Sequence, residues 1–288
     1  MNWREYQALQ RVSELGERFL SYVDEGRGDP VLLLHGIPTW GYLWQGLLPA
    51  LSGPHRVLVP DLLGFGYSDR RDCFDRSIGR QAELIDAWLG KLGLEHIHVV
   101  GHDIGGGVAL RLATLFPRRV SRLALLNSVC YDSWPIEGML QFGHPGAYRR
   151  LSATAALRLL KLMLRQGFAR SPDDELLEGL LAPYATEVGK LSLIRNASAL
   201  NTNLTTEVSP LLTRLELPAL VLWGENDAFQ PVKYGERLAR DISGAQLVRV
   251  REARHFVMLD RPDEVGGHLL SFLGGAGAEP LPAGAGVP

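Results

Sequence analysis

The sequence is poor in cysteine, in charge imbalance and in long apolar runs. Only two cysteines, Cys73 and Cys130, occur in 288 residues. That number builds neither a disulfide framework nor a metal-ligand cluster, so both are expected to be free, buried thiols. Lys plus Arg is 30 and Asp plus Glu is 32, a net charge of −2, which leaves no electrostatic footprint for nucleic acid. No apolar stretch approaches the ~18 residues of a membrane span. The segment Met1-Asn2-Trp3-Arg4-Glu5-Tyr6 is charged and lacks the apolar stretch of a secretory signal. A cytoplasmic setting is the expectation, with no membrane and no nucleic-acid partner.

Apolar residues make up 46% of the chain, enough for a sizeable core. Short apolar runs alternate with helical patterns. Val31–Leu34, Arg56–Val59, Ile97–Val100, Leu123–Leu126, Leu220–Trp223 and Gln246–Val250 read as strands. Most are continuously apolar, the mark of strands buried on both faces. Ser77 to Leu92 has its apolar residues at helical spacing, with Gly93 as a stop. Gly105 to Phe116 and Pro262 to Leu273 are further helices, and Arg11 to Val23 suits an antiparallel edge hairpin. From 133 to 213 only helical patterns appear, such as Ala153 to Leu164 and Asp174 to Leu181.

This rhythm predicts an α/β fold: a mostly parallel, doubly wound sheet with an inserted helical lid. Residues 1–132 and 214–273 form the core, 133–213 the cap, and 274–288 a Gly/Ala/Pro-rich disordered tail. Ligands of such sheets bind beyond the carboxyl ends of the strands, so the residues that follow each strand matter most.

Four strand ends carry candidate chemistry. Gly101-His102-Asp103-Ile104-Gly105 places an acid between two glycines where a strand turns into a helix. A side chain at either glycine would meet neighbouring backbone, and the turn exposes the central residue. The helix start favours an ionised Asp103, either as a nucleophile or simply as an N-cap. His35-Gly36-Ile37-Pro38 follows the first buried strand, where Gly36 permits close approach. Asp227, in Gly224-Glu225-Asn226-Asp227, suits an acid that orients a histidine. His255 follows the last strand as a candidate base. The histidines at 35, 55, 96, 98, 102, 144 and 268 have weaker claims.

With these motifs in place, residues 20 to 273 resemble the Asp-nucleophile branch of the α/β-hydrolase superfamily, the epoxide hydrolases and haloalkane dehalogenases. The resemblance also rests on Asp61-Leu62-Leu63-Gly64-Phe65-Gly66-Tyr67-Ser68-Asp69 and on His255-Phe256. It implies that Asp103 is the nucleophile, with Asp227 and His255 completing a catalytic triad in the chain order of that fold. It further implies an oxyanion hole made by the backbone N–H groups of Ile37 and Ile104, and no metal or organic cofactor. The substrate is then a small apolar electrophile that reacts with water, in a monomer or homodimer.

The leaving group separates the two activities. In the dehalogenase pattern a Trp follows the nucleophile and an Asn or Glu follows His-Gly, and both hold halide. Ile104 and Ile37 stand at those places. Epoxide hydrolases use lid tyrosines as acids, and Tyr131, Tyr148 and Tyr184 lie in or beside the lid, with Tyr148 nearest the family's first position. Nothing matches the second tyrosine, which falls near Ile194-Arg195-Asn196. The segments Pro38 to Trp44 and Tyr131 to Pro135 look more like a dehalogenase, and Trp134 is a candidate halide donor or a packing residue. Epoxide hydrolysis is the first reading. Haloalkane dehalogenation with an atypical halide site is the alternative. Lactone hydrolysis and a catalytically silent binding protein are further options.

Overall fold

The computed structural model describes residues 1–144 and 146–274, without the side chains of Tyr148 and Arg149. The tail expected to be disordered therefore lies outside the described residues from 275 onward.

Eight strands form one sheet: β1 (Arg11–Leu15), β2 (Arg18–Gly26), β3 (Asp29–Leu34), β4 (His55–Pro60), β5 (Ile97–Asp103), β6 (Val120–Ser128), β7 (Ala219–Gly224) and β8 (Gln246–Val250). Their order is β1-β2-β4-β3-β5-β6-β7-β8. The β1–β2 and β2–β4 pairs are antiparallel, and every other pair is parallel. The sheet is thus mostly parallel and doubly wound, with the expected hairpin at its edge.

Burial follows position in the sheet. Val31, Leu32, Leu33 and Leu34 of central β3 are fully buried, as are Leu123 to Leu126 of β6. The edge strands β1 and β8 are mostly exposed or half-buried. A strand covered by helices on both faces has no polar side, so its sequence is a continuous apolar run.

The helices keep their sequence signatures. Ser77 caps Ile78–Lys91 by accepting from the Arg80 N–H at 3.3 Å, and Gly93 follows the helix at φ +70°. Its Ile85, Trp88 and Leu89 are fully buried. Between β6 and β7 the described residues form helices and no strand, among them Glu137–Phe142, Ala153–Gln166, Asp174–Leu181 and Glu187–Ser198. A short N-terminal helix, Trp3–Ala8, starts at a capping box: Asn2 Oδ1 accepts from the Glu5 N–H at 3.0 Å and the Glu5 carboxylate accepts from the Asn2 N–H at 2.9 Å, while Tyr6 packs edge-on against Trp40 at 5.5 Å. Of the two cysteines, Cys130 is buried but Cys73 is exposed, in a turn whose next residue, Phe74, packs against the core. No described helix is long and apolar enough to cross a membrane.

The winding direction reverses between β3 and β5. The chain leaves β3 toward β4 on one side, then returns to place β5 on the other. Leu34 is in register with Gly101 across this pair. The segments that follow, His35-Gly36-Ile37 and His102-Asp103-Ile104, are therefore forced side by side at the crevice such a reversal opens.

Candidate active site

Asp103 ends β5 with φ +52° and ψ −124°, and the helix Ile104–Leu115 begins at the next residue. A non-glycine residue at such angles stores about 1–3 kcal/mol of strain. The surroundings hold it there. A Cβ on Gly105 would lie 2.4 Å from the Leu34 carbonyl oxygen, so strand and helix close tightly around the turn. The Asp103 side chain makes no capping hydrogen bond to its own helix, which removes the simple N-cap role.

Its carboxylate faces two ways. Oδ1 accepts a hydrogen bond from the Ile37 N–H at 2.9 Å. Oδ2 lies 3.7 Å from His255 Nε2. The side chain is almost fully buried, and burial raises its pKa above the ordinary carboxylate value. The His255 charge and the Ile37 and Ile104 N–H groups pull it back only in part. Asp103 is thus a poorly solvated anion with one oxygen held and the other free.

Gly36 makes this approach possible. A Cβ there would sit 2.4 Å from the Asp103 Cβ and 2.6 Å from Oδ1. Gly36→Ala is expected to push the carboxylate off the Ile37 N–H. It should lower kcat/KM by about 100-fold, given what angstrom-scale misplacement costs. Gly267→Ala, whose added methyl meets nothing, is the control and should leave activity intact. Equal losses in both variants would refute this account.

His255 follows β8 and is also buried. Its Nδ1–H donates to Asp227 Oδ2 at 2.9 Å, leaving the Nε2 lone pair toward Asp103. Burial alone would lower its pKa. The Asp227 charge and hydrogen bond, with Asp103, outweigh burial and raise it. Asp227 follows β7, and its side chain is fully buried. Its Oδ1 accepts from the Phe229 and Gln230 N–H groups at 2.7 and 3.0 Å, and its Oδ2 also accepts from Asn127 Nδ2 at 2.6 Å. A carboxylate whose acceptor sites are this fully used is locked in place.

Of two supporting residues on this scaffold, Asn127 escaped the sequence reading and His102 was given only a weak claim. Asn127, at φ +41° near the end of β6, bridges Asp227 to the Gly224 N–H through its Oδ1 at 3.1 Å. Nothing in Leu126-Asn127-Ser128 marks that role. The His102 ring lies tilted by 56° beside that of His255, centroids 4.6 Å apart, and its Nε2 bonds the His255 carbonyl oxygen at 3.0 Å. Burial drives the His102 pKa far down, so it is a neutral donor that fixes the His255 backbone. His35 has a similar fate: burial lowers its pKa to about 4, and its Nε2 accepts from the Leu62 N–H at 2.9 Å.

A cavity covers the free face of Asp103. Its polar lining is Asp103, His255 and Gln230; the rest, including Ile37, Ile104 and Trp134, is apolar or aromatic. The cavity is small, with a volume of about 30 Å³. The Trp134 N–H donates to Thr205 Oγ1 at 2.7 Å, so Trp134 packs the wall with its donor already used. The Tyr131 hydroxyl donates to Asp241 at 2.8 Å and the Tyr184 hydroxyl to the Thr39 carbonyl at 3.0 Å; neither residue lines the cavity. Tyr148 belongs to the helix Ala147–Arg150, and its side chain lies outside the described residues.

A family model described as the alpha/beta hydrolase fold matches residues 29–262. The chain belongs to the α/β-hydrolase-fold family. Haloalkane dehalogenase 2 of Mycobacterium tuberculosis is 29% identical over 273 residues, covering 88% of this chain and 91% of that protein. The cis-3-alkyl-4-alkyloxetan-2-one decarboxylase of Shewanella oneidensis is 26% identical over 269 residues, covering 88% of this chain and 85% of that protein. A crystal structure of an alpha/beta hydrolase fold protein from Burkholderia ambifaria superposes with a TM-score of 0.87 at 29% identity, over 91% of this chain and 97% of that one. The resemblance of this α/β hydrolase to the dehalogenase-like branch therefore extends well beyond the motifs that first suggested it.

Proposed function

We propose that this protein is a hydrolase that opens a carbon–heteroatom bond through an ester between the substrate carbon and Asp103. One observation carries the reading: the Asp103 carboxylate has Oδ1 on the Ile37 N–H and Oδ2 free beside His255, in an apolar cavity. Oδ2 attacks a saturated carbon. The new C–O bond forms as the leaving group departs with the electron pair, and an alkyl ester results. His255 Nε2 then takes a proton from water, and the hydroxide adds to the Asp103 Cγ. Negative charge gathers on Oδ1, where the Ile37 and Ile104 N–H groups stabilise it; one such donor contributes about 2.7–4 kcal/mol. Collapse expels the product alkoxide, which takes the proton from His255 and leaves Asp103 as the carboxylic acid; loss of that proton to solvent regenerates the carboxylate.

Acyl transfer from ordinary esters fits this site poorly. A carboxylate that attacks an ester carbonyl yields a labile anhydride, whereas attack on saturated carbon yields a stable ester.

For the leaving group, a strained oxygen ring is the first reading, and the product is a vicinal diol from an epoxide. Ile37 and Ile104 line the cavity and bring no side-chain N–H to hold a departing halide. Tyr148 remains the candidate lid acid for the departing oxygen. The Shewanella relative is itself named for a strained oxygen ring, an oxetan-2-one. Haloalkane dehalogenation is the second reading, favoured by the similarity to haloalkane dehalogenase 2 over most of both chains.

The narrow cavity calls for small, size-matched probes. Purified protein offered 1,2-epoxybutane and 1-bromobutane separately is expected to release butane-1,2-diol from the first faster than bromide from the second. Bromide release without diol would overturn the epoxide reading and leave the alkyl-ester mechanism standing.

A further inference from the structure

Gln230 is the one polar residue of the cavity lining to which the mechanism gives no task. It lies between Asp227 and Pro231, in the loop after β7. Its backbone is held from both sides. The N–H donates to Asp227 Oδ1 at 3.0 Å, and the carbonyl accepts from the Trp223 indole N–H at 2.8 Å. The side chain is 2% exposed and lines the cavity with Asp103 and His255. Its Oε1 is buried with no hydrogen-bond partner among the described residues.

A buried amide oxygen with an unmade hydrogen bond is costly, because it has lost water and gained nothing in return. Methionine would fill the same wall at no such cost. Gln230 lines a cavity whose other polar side chains, Asp103 and His255, do not bond it, and whose one indole N–H is already taken by Thr205. The partner that would satisfy Gln230 must therefore enter with the contents of the cavity. The oxygen and nitrogen ends of an amide exchange by a simple rotation, so the side chain can either accept or donate. A hydroxyl group matches this, because it does both. A carboxylate does not, because no lysine or arginine lines the cavity and Asp103 already brings a negative charge to it.

We propose that the Gln230 amide is a positioning residue that binds a neutral hydroxyl-type group of the substrate beside the reacting carbon. The preferred electrophile is then apolar along most of its length and carries one hydrogen-bonding group. This deepens the function proposed above and rests on that reading of the site. The class of substrate shifts from purely apolar to hydroxyl-bearing.

Isosteric probes test it. Glycidol matches 1,2-epoxybutane in size, and 3-bromo-1-propanol matches 1-bromobutane. For whichever pair is turned over, kcat/KM of the wild type is expected to favour the hydroxyl-bearing member by about tenfold or more. In Gln230→Met that ratio should fall at least tenfold, mostly through KM, with the thermal midpoint retained. A wild type with no such preference, or a ratio that Gln230→Met leaves unchanged, overturns the proposal; a resident water would then be the amide's only partner.

A second readout needs no turnover. In Asp103→Asn, ligand-observed NMR should show tighter binding of 3-bromo-1-propanol than of 1-bromobutane, and Asp103→Asn/Gln230→Met should abolish the difference. If the wild type turns over neither pair while the binding difference holds, the alkyl-ester reading fails and the Gln230 contact stands. If turnover occurs but neither readout responds to Gln230→Met, the Gln230 proposal fails alone.

Discussion

Replacing His255 with glutamine is expected to leave the protein carrying one substrate-derived group on Asp103. The two half-reactions make different demands. Ester formation needs Asp103 Oδ2 and a departing group, and both remain in His255→Gln. Ester hydrolysis needs a base beside the carboxylate, and Nε2 at 3.7 Å from Oδ2 is the one group so placed among the described lining residues. Glutamine cannot take the proton from water. Steady-state turnover should fall by about 10²–10⁴-fold, the usual worth of a positioned general base. Single-turnover ester formation should survive, so intact mass spectrometry with 1,2-epoxybutane should show protein plus one epoxide mass. An unmodified protein, with a substrate that the wild type turns over, would sink the assignment of His255.

The same step predicts a pH dependence. His255 must be neutral to act as base, so its contribution is present above its pKa and lost as pH falls through it. Burial pushes that pKa down, while Asp227 and Asp103 push it up and prevail in the free protein. Esterification removes the Asp103 charge and leaves Asp227 as the main upward influence. Asp227→Asn should therefore move the acid limb of kcat to lower pH as well as lowering kcat itself. A limb that moves to higher pH would contradict the geometry.

Asp103→Asn is expected to abolish turnover, by about 10⁴-fold or more, since the residues of a covalent mechanism act as a unit. An amide oxygen is too weak a nucleophile to open either ring or carbon–halogen bond, and no mass adduct should form. The fold should persist. Asn tolerates positive φ better than most residues, and its Oδ1 can still accept the Ile37 N–H. Stability is expected to rise. The Asp103 pKa is raised in the folded state, so the carboxylate favours folding only below its unfolded pKa and opposes it as pH rises through the folded value. At neutral pH, Asn removes that penalty, and calorimetry should find a higher Tm than in the wild type. Full turnover, with deamidation excluded by mass spectrometry, would refute the covalent mechanism.

Much of this architecture was legible from residue order. The helices Asp174–Leu181 and Pro262–Leu273 and the strand Gln246–Val250 occur with the bounds that the pattern predicts. Strands buried on both faces write themselves as apolar runs, and helix ends write themselves as caps and glycines. The helix Trp3–Ala8 carries a legible start in the Asn2–Glu5 capping box, but its six residues are too few for an apolar period, and its anchor, Tyr6 against Trp40, is a long-range contact. Cys73 was misjudged as buried for the converse reason: a free cysteine is usually core, but in this exposed turn it is the neighbouring Phe74 that turns inward.

The site divides along the same line. Sequence by itself determined which residues follow each strand, and hence that Asp103, Asp227 and His255 would stand at one edge of the sheet. A parallel sheet directs every carboxyl end the same way, so local patterns suffice for that. Only the tertiary structure decided what each side chain does there. It turned the Tyr131, Tyr184 and Trp134 donors onto protein partners, brought Asn127 and His102 in to fix the acid and the base, and left Gln230 without a partner beside Asp103. Hydrogen-bond partners are chosen by which elements meet across the sheet, and those meetings are separated by up to 153 positions in the chain, as between His102 and His255. No local spacing records them.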